Sequence, residues 1–459
     1  IGEFAGRYKD SPALMGVGLR VMGWVWESYN GWPSLFWGYD DYTVHLFEKQ
    51  TGIKIPVADS DPKRFRARYD WLLANAKDKW IDWRCDQIAG LYSSISARVR
   101  SARKDLMVVS PVHGQLDDSC HAATERFDVG DYKQIYRESG YDMDKIGRIL
   151  NTLFLNAIYY YGRRQQDPIT EQKEIDHLLD PAARTAFVGS TGRTGFLFSN
   201  SYFEADETID PVKMGLPGAK AGGWDGVANP PGRQYLQRYA LDLADSDASL
   251  LIDGGEGYIH GQPPLREFLA NYRVLPVNRF IPRADATDPV AVWQLKLGGA
   301  FWFYAVNRES YSVPITVHLS GSGPIVRAAT GEAAKLAGDA LTVDMQPYEL
   351  AVFKAPATRS IETVSTSTPT DILSHLAAQV RWLAALNVDV RADSHKLWRQ
   401  QPAILDRLSK LAAQQLSEGH VFAVQATLWN HDLLQIYKNL GRCPPDLFEG
   451  CSCPPLGPN

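Results

Sequence analysis

Five short apolar runs, each parted from the next by a helical or polar stretch, limit what this chain can fold into more than any other feature. They are ALMGVGLRV (Ala13 to Val21), LMVVSPV (Leu106 to Val112), NTLFLNAIYYYG (near Thr152 to Tyr161), GFLFSNSYFE (Gly195 to Glu204) and ASLLIDGG (Ala248 to Gly255). Runs this short and this apolar fit strands buried on both faces. Strands alternating with helical stretches predict βα units on a parallel sheet. Between the first two runs, Phe65, Tyr69, Leu72, Ala76, Trp80 and Trp83 recur at steps of three and four, which predicts helix over 62–104. A single helix of that length would reach about 60 Å, so a bend or break is expected within it.

Two further parts follow. Residues 289–356 carry short β-rich runs such as AFWFYAVN and VPITVHL, with turns at Gly298 and Gly299, Gly321 to Pro324, and Gly331. They predict a small antiparallel sandwich. The Ser/Thr-rich stretch 357–370 reads as a linker. Residues 371–459 hold three helical stretches, Asp371 to Leu386, Pro402 to Ser417 and Val421 to Leu440, closed by a Cys/Pro tail. The domains expected are therefore a barrel-like part over 1–288, the sandwich, the linker and a helical unit.

Polar and aromatic residues gather just after the apolar runs, where barrels and open α/β sheets place their active sites. Carboxylates at strand ends are the main chemical signal, because glycoside hydrolysis needs two carboxyl groups. Glu27 lies in WVWES after the first run, and Glu204 ends the fourth, with Asp206 and Glu207 close behind. Only a fold that converges strand ends brings residues so far apart in sequence together, and a parallel barrel does so. Asp40 and Asp41 rival Glu27, although acids there also suit a helix start. The bland alternative makes all of these loop acids that cap helices or pair with cations.

Aromatic residues make up 11% of the chain. Trp24, Trp26, Tyr29, Trp32, Phe36 and Trp37 crowd the loop around Glu27. A loop this apolar packs on the protein or binds something. Sugars present flat C–H faces to such rings, so Trp24, Trp26, Tyr160, Tyr202 and Asp41 are the candidate substrate-binding residues.

Other function classes are disfavoured. A formal net charge of −5 argues against a protein built to grip nucleic acid. No apolar run has the length of a membrane span. GVGLRVMG has Val21 where a dinucleotide fingerprint needs its third Gly. There is no H-E-x-x-H spacing and no G-x-S-x-G elbow, so no cofactor or metal is expected. The chain has 5 cysteines, an odd number. Three of them, Cys443, Cys451 and Cys453, cluster in the tail. A Cys443–Cys451 or Cys443–Cys453 disulfide there would favour a periplasmic or extracellular setting.

Three phrases, in order, carry a family resemblance. RYKDSPALMGVGLR resembles the helix and fourth strand of large (β/α)8 glycoside hydrolases of the β-galactosidase-like retaining clan. ALDLADSDASLLIDGGEG followed by PLREFLANYRVLP resembles the last barrel strand and helix of such enzymes. TGEAAKLAGDALTVDMQPYELAVFKA resembles the small β-sandwich that often follows the barrel. Together the phrases span about Ile1 to Ala355. The resemblance implies that the visible strands are numbers four to eight of a (β/α)8 (TIM) barrel. It makes Glu27 the acid/base and Glu204 the nucleophile. Trp26 stands where the clan carries Asn, and Glu27 lies several residues past the expected strand end. The resemblance also implies that three N-terminal strands come from another chain or from sequence beyond this one, and an oligomer is expected. The reading is thus a retaining glycoside hydrolase acting on a β-linked oligo- or polysaccharide. The alternative is a non-catalytic structural or carbohydrate-binding subunit of a larger assembly.

Overall fold

In the computed structural model, the apolar runs pair as the strands of one sheet. The structure describes residues 1–18, 35–113, 132–158, 192, 194–198, 202–203, 227–228, 232–253, 263–392, 401–442 and 444. These residues belong to two compact units. One comprises Ile1–Tyr159, Leu178–Phe198 and Ala248–Ile252; the other comprises Tyr160–His177, Ser199–Asp247 and Asp253–Asn459.

In the first unit, the strands are β1 (Gly16–Gly18), β2 (Met107–His113), β3 (Thr152–Ile158) and β4 (Thr194–Phe198). Two minor strands of the second unit, β5 (Tyr202–Phe203) and β6 (Val227–Ala228), come next in the chain and pair only with each other. β7 (Leu250–Asp253) completes the main sheet, whose order is β1-β2-β3-β4-β7. The register is parallel, with Gly16 opposite Met107, Val108 opposite Thr152 and Phe154 opposite Thr194. Each strand of this sheet lies beside the one before it. The order never reverses, as it would at the switch point of a doubly wound sheet. The result is a parallel half-barrel: five strands among the described residues, against the eight of a closed barrel.

Local chemistry explains the joins. A side chain at Gly16 would put its Cβ 2.2 Å from the Met107 carbonyl oxygen, so only glycine lets β1 approach β2. The Arg103 guanidinium binds the carbonyl oxygens of Lys9 at 2.9 Å and Ser11 at 2.8 Å, and also that of Leu14. It thereby pins the loop between α1 (Gly2–Tyr8) and β1. The helices between β1 and β2 are α2 (Asp41–Thr51), α3 (Arg64–Asn75) and α4 (Lys77–Ala102). The expected helix break falls at Ala76, whose φ of −149° leaves the helical region. α5 (Tyr132–Glu138) and α6 (Met143–Gly147) precede β3. Tyr92, Val99, Val108, Tyr141, Ile146 and Phe154 form the core beneath the sheet.

In the second unit, α7 (Gln237–Ser246) and α8 (Pro263–Arg273) accompany two antiparallel sheets. Trp293 Nε1 donates to the Ala244 carbonyl at 3.1 Å, which ties α7 to the sandwich. One sheet joins β8 (Ile281–Pro282), β9 (Val290–Leu297), β10 (Ala300–Asn307), β12 (Val326–Arg327) and β15 (Leu350–Pro356). The other joins β11 (Val313–Ser320), β13 (Leu336–Ala337), β14 (Ala340–Met345) and β16 (Ser360–Thr366). Gly298 and Gly299, with φ of 59° and 79°, form the two-residue turn of the β9–β10 hairpin. Alternate residues of β11 and β14 point into a core that contains Phe301, Phe303 and Phe353.

Two expectations are corrected here. The stretch 357–370 is not simply a linker, because β16 occupies half of it and pairs with β11 from Ile315–Thr366 to Ser320–Ser360. Its Thr and Ser residues suggest a solvated segment, yet Ile361, Thr363, Val364 and Thr366 are β-branched and suit a half-buried strand. The helical unit has four described helices rather than three: α9 (Thr370–Ala392), α10 (Gln401–Ser417), α11 (Val421–Leu428) and α12 (His431–Leu440). Asn430 divides the last two, its Oδ1 accepting from the Asp432 N–H at 3.0 Å, as a helix-starting cap does.

Candidate functional site

The C-terminal edge of the parallel sheet is the place to look for chemistry. There β2 ends at His113, opposite Ala157, and β3 ends at Ile158, opposite Phe198. The last strand of the sheet, β7, ends at Asp253. In the sequence its segment, DGGEG, reads as a glycine-rich turn and gives no stronger signal.

Glu204 does not follow a strand of this sheet. The apolar pattern predicts one strand from Gly195 to Glu204, but β4 stops at Phe198. Tyr202 and Phe203 form β5, antiparallel to β6, with Tyr202 opposite Ala228 and Phe203 opposite Val227. In the sequence, Ser199, Asn200 and Ser201 are residue types that favour turns, and they interrupt the apolar pattern. Glu27, Glu204, Glu207, Trp24, Trp26 and Tyr160 lie outside the described residues, as do Cys443, Cys451 and Cys453. For Tyr202 the structure gives only the backbone pairing.

The described part of the region begins at Leu35. Asp40 caps α2: its backbone is extended (φ −66°, ψ 162°) and its carboxylate accepts from the Thr43 N–H at 3.0 Å. Burial works to raise its pKa, but hydrogen bonds from Thr43 and Tyr42 outweigh that and lower it. Asp41 is half-buried and receives Arg64 Nε at 2.9 Å and Arg68 Nη1 at 2.6 Å. These bonds, that from Arg64 first, hold its carboxyl down at about 2. A general acid must keep its proton near the working pH. Asp41 is ionised there, and Asp40 is also shifted the wrong way. Arg68 is 1% exposed and reaches Asp59 and the Tyr39 carbonyl as well, so one buried guanidinium ties the loop, α2 and α3 together.

The same loop carries exposed aromatic rings. Phe36 is 64% exposed, Trp37 53% and Tyr42 76%, while Tyr39 beside them is 4%. Phe36 stacks on Tyr69 at 5.3 Å between centroids, with the planes 13° apart. Tyr39 stacks on Trp80 at 5.5 Å and forms the floor. Burial raises its hydroxyl to about 12, with Arg84 opposing the shift. Three open rings within seven residues form a surface that aromatic-face recognition can use. Tyr42 gives no signal in the sequence, because its helical position reads as an ordinary solvated face.

Among the described residues, no three His, Cys, Asp or Glu side chains converge to hold a metal ion, and no helix is long and apolar enough to cross a membrane. Cys85 is buried, and burial pushes its thiol up to about 12, which makes it unreactive.

No family model and no curated protein matches the chain. Solved structures give distant likenesses, and those described here are glycoside hydrolases. An Anoxybacillus alpha-amylase matches with a TM-score of 0.31 and 11% identity, over 58% of this chain and 56% of that one. A glycoside hydrolase family 30 subfamily 8 xylanase from Clostridium acetobutylicum matches at 0.27 and 9%, over 59% and 60%. A GH27 β-L-arabinopyranosidase from Geobacillus stearothermophilus matches at 0.28 and 12%, over 59% and 61%. The match therefore spans less than two thirds of each of these enzymes. TM-scores of this size carry no argument about the present chain. Its class rests on its own strands: a mixed α/β protein with a parallel half-barrel and antiparallel sheets.

Proposed function

We propose that this chain is part of a retaining glycoside hydrolase of the β-galactosidase-like clan that cleaves a β-linked oligo- or polysaccharide. Glu204 attacks the anomeric carbon. Glu27 protonates the leaving oxygen and then activates water. In a retaining enzyme the two carboxyl groups stand about 5–5.5 Å apart. The observation that carries the reading is the strand order, a parallel sheet that advances one strand at a time without reversal, as in a barrel. The exposed rings Phe36, Trp37 and Tyr42 support a sugar as the ligand. With Asp40 and Asp41 both shifted towards the ionised form, Glu27 is the better acid/base. Asp41 then serves beside Trp24, Trp26, Tyr160 and Tyr202 in holding substrate.

The test is turnover of a panel of aryl β-glycosides, with the anomer of the first product read by NMR. Retention is expected. Glu204→Gln and Glu27→Gln should each cut turnover by on the order of 10²–10⁴-fold. Full activity in Glu204→Gln with loss in Glu207→Gln would move the nucleophile to Glu207. One observation favours a second reading: the described sheet has five strands, and Glu204 follows the separate strand β5. In that reading the chain is a non-catalytic or carbohydrate-binding subunit, and the remaining barrel strands come from another chain or an oligomeric partner. Binding of oligosaccharide without turnover of any aryl glycoside would favour it.

A further inference from the structure

The surface around α2 and α3 sorts its apolar residues by type. Between Leu35 and Ala76 no Val, Leu or Ile is exposed, and Val44, Ile55 and Leu72 are buried. The large apolar side chains left in water there are all aromatic: Phe36, Trp37, Tyr42 and Phe65. Burial of apolar area does not by itself separate the two kinds, because a Val, Leu, Ile or Phe side chain gains a similar amount by leaving water. Exposed apolar side chains that gather in one place mark a binding surface.

These rings are linked to one another. Phe36, next to Trp37 in the chain, lies on half-buried Tyr69, and Tyr69 follows Phe65 by one turn of α3. Arg64 joins Phe65 to α2: its guanidinium lies 4.3 Å over the Phe65 ring, and its Nε donates at 2.9 Å to Asp41, the neighbour of Tyr42. Arg66 lies 5.2 Å over the Tyr69 ring and donates to Asp70 at 2.8 Å. Each guanidinium on the rings is thus already matched by a carboxylate. The patch offers aromatic rings edged with paired polar groups, and neither arginine is left as a bare cation.

We propose that this face of α2 and α3 is a docking platform for a neutral polysaccharide chain. Phe36, Trp37 and Tyr42 take the C–H faces of its sugar rings, and Asp41 and Asp70 accept from its hydroxyls. A sugar ring has an apolar face and a polar rim, which fits aromatic rings flanked by ion pairs whose carboxylates still have acceptor capacity. An acidic polymer would call for cations without partners. A second copy of the chain would cover a surface like a core cut in half, with aliphatic as well as aromatic side chains. The platform rests on the sugar reading of these rings and not on Glu27 or Glu204 as catalysts.

Affinity electrophoresis of the full chain tests this, in native gels cast with galactan, xylan, mannan or mixed-linkage glucan in turn. Retardation by at least one of these neutral polymers is expected. Trp37→Ala and Tyr42→Ala should each raise the apparent dissociation constant about two- to tenfold, the size of one aromatic contact. Trp37→Tyr, which keeps a ring, should restore most of the loss, and Tyr42→Ala keeps the test open if the Trp37 variant fails to fold. Leu91→Ala, which removes an exposed side chain of α4, should change nothing. The readout needs no turnover, so Glu204→Gln should be retarded like the wild type; retardation without turnover of any aryl glycoside would count against the hydrolase and leave the platform standing. The proposal is overturned if no neutral polymer retards the chain, or if only an acidic one such as polygalacturonate does. Equal retardation of wild type and the Trp37→Ala/Tyr42→Ala double variant would also overturn it. So would a dimer in light scattering that the double variant dissociates, which would mean that a second copy covers this face.

Discussion

Two groups of acids, one in each compact unit, handle charge in opposite ways. Around the half-barrel, Asp41, Asp59, Arg64 and Arg68 form a network whose carboxylates face water, and its bonds hold Asp41 ionised. In the unit that holds the antiparallel sheets, Asp242 and Glu309 are buried and Asp247 and Asp288 half-buried, and loss of water raises all four. The contrast follows from construction. Acids packed among other elements lose the water that favours their charged form, whereas the Asp41 network keeps water on its carboxylates. The difference teaches that acid and alkali should act on different parts of the molecule.

The largest test of the comparison is the sealed core. Phe353 stacks on Phe303 at 5.0 Å, so Phe353→Ala should cost about 3–5 kcal/mol in chemical denaturation. A loss below about 1 kcal/mol would mean the core is not closed. Next comes Asp247, whose carboxylate accepts from Tyr304 OH at 2.7 Å and Phe280 N–H at 2.6 Å. Burial, only partly offset by these bonds, raises it from 3.8 to about 6. Its stability contribution is full below about 3.8 and is lost as pH climbs to about 6, roughly a hundredfold in the folding constant. Asp247→Asn should flatten that slope. Asp41 has the reverse sign: its pairing is present above about 3.8 and lost as pH falls to about 2. Acid titration should therefore loosen the Arg64 and Arg68 contacts while the buried acids tighten. A uniform response in both units would erase the distinction.

Gly16→Ala should cost about 1–3 kcal/mol, through the clash with the Met107 carbonyl, and should show first as faster exchange at Val108 and Val109. Asp40→Ala should be the smallest change, about 1 kcal/mol, by removing the cap of α2. Unchanged melting in either variant would show that the joints around β1 and α2 matter less than their geometry indicates.

Much of the fold is legible in the sequence because burial leaves a periodic trace. The runs around Val108, Phe154 and Leu250 are strands, and the helix break between 62 and 104 falls at Ala76. The misreadings are local. Ser199-Asn200-Ser201 reads as part of a strand only when its turn chemistry is ignored. The β-branched residues of β16 hide in a Ser/Thr stretch, and Asn430 looks like one more polar helix position. The candidate site is legible only as residue types. Glu27 and Glu204 stand out for chemistry and sequence position, and both lie outside the described residues.

The sequence alone determined the alternation of apolar runs and helices, the antiparallel β-rich part that follows, and the surplus of aromatic residues around Phe36 and Trp37. Those properties depend on side-chain type and spacing, which survive in one dimension. Only the tertiary structure decided that β4 ends at Phe198, that Arg64 and Arg68 fix Asp41 as an ion, and that Asp288 reaches across the chain to cap α11. Each depends on a partner distant in sequence, and a hydrogen bond or ion pair exists only where folding brings its two ends within about 3 Å.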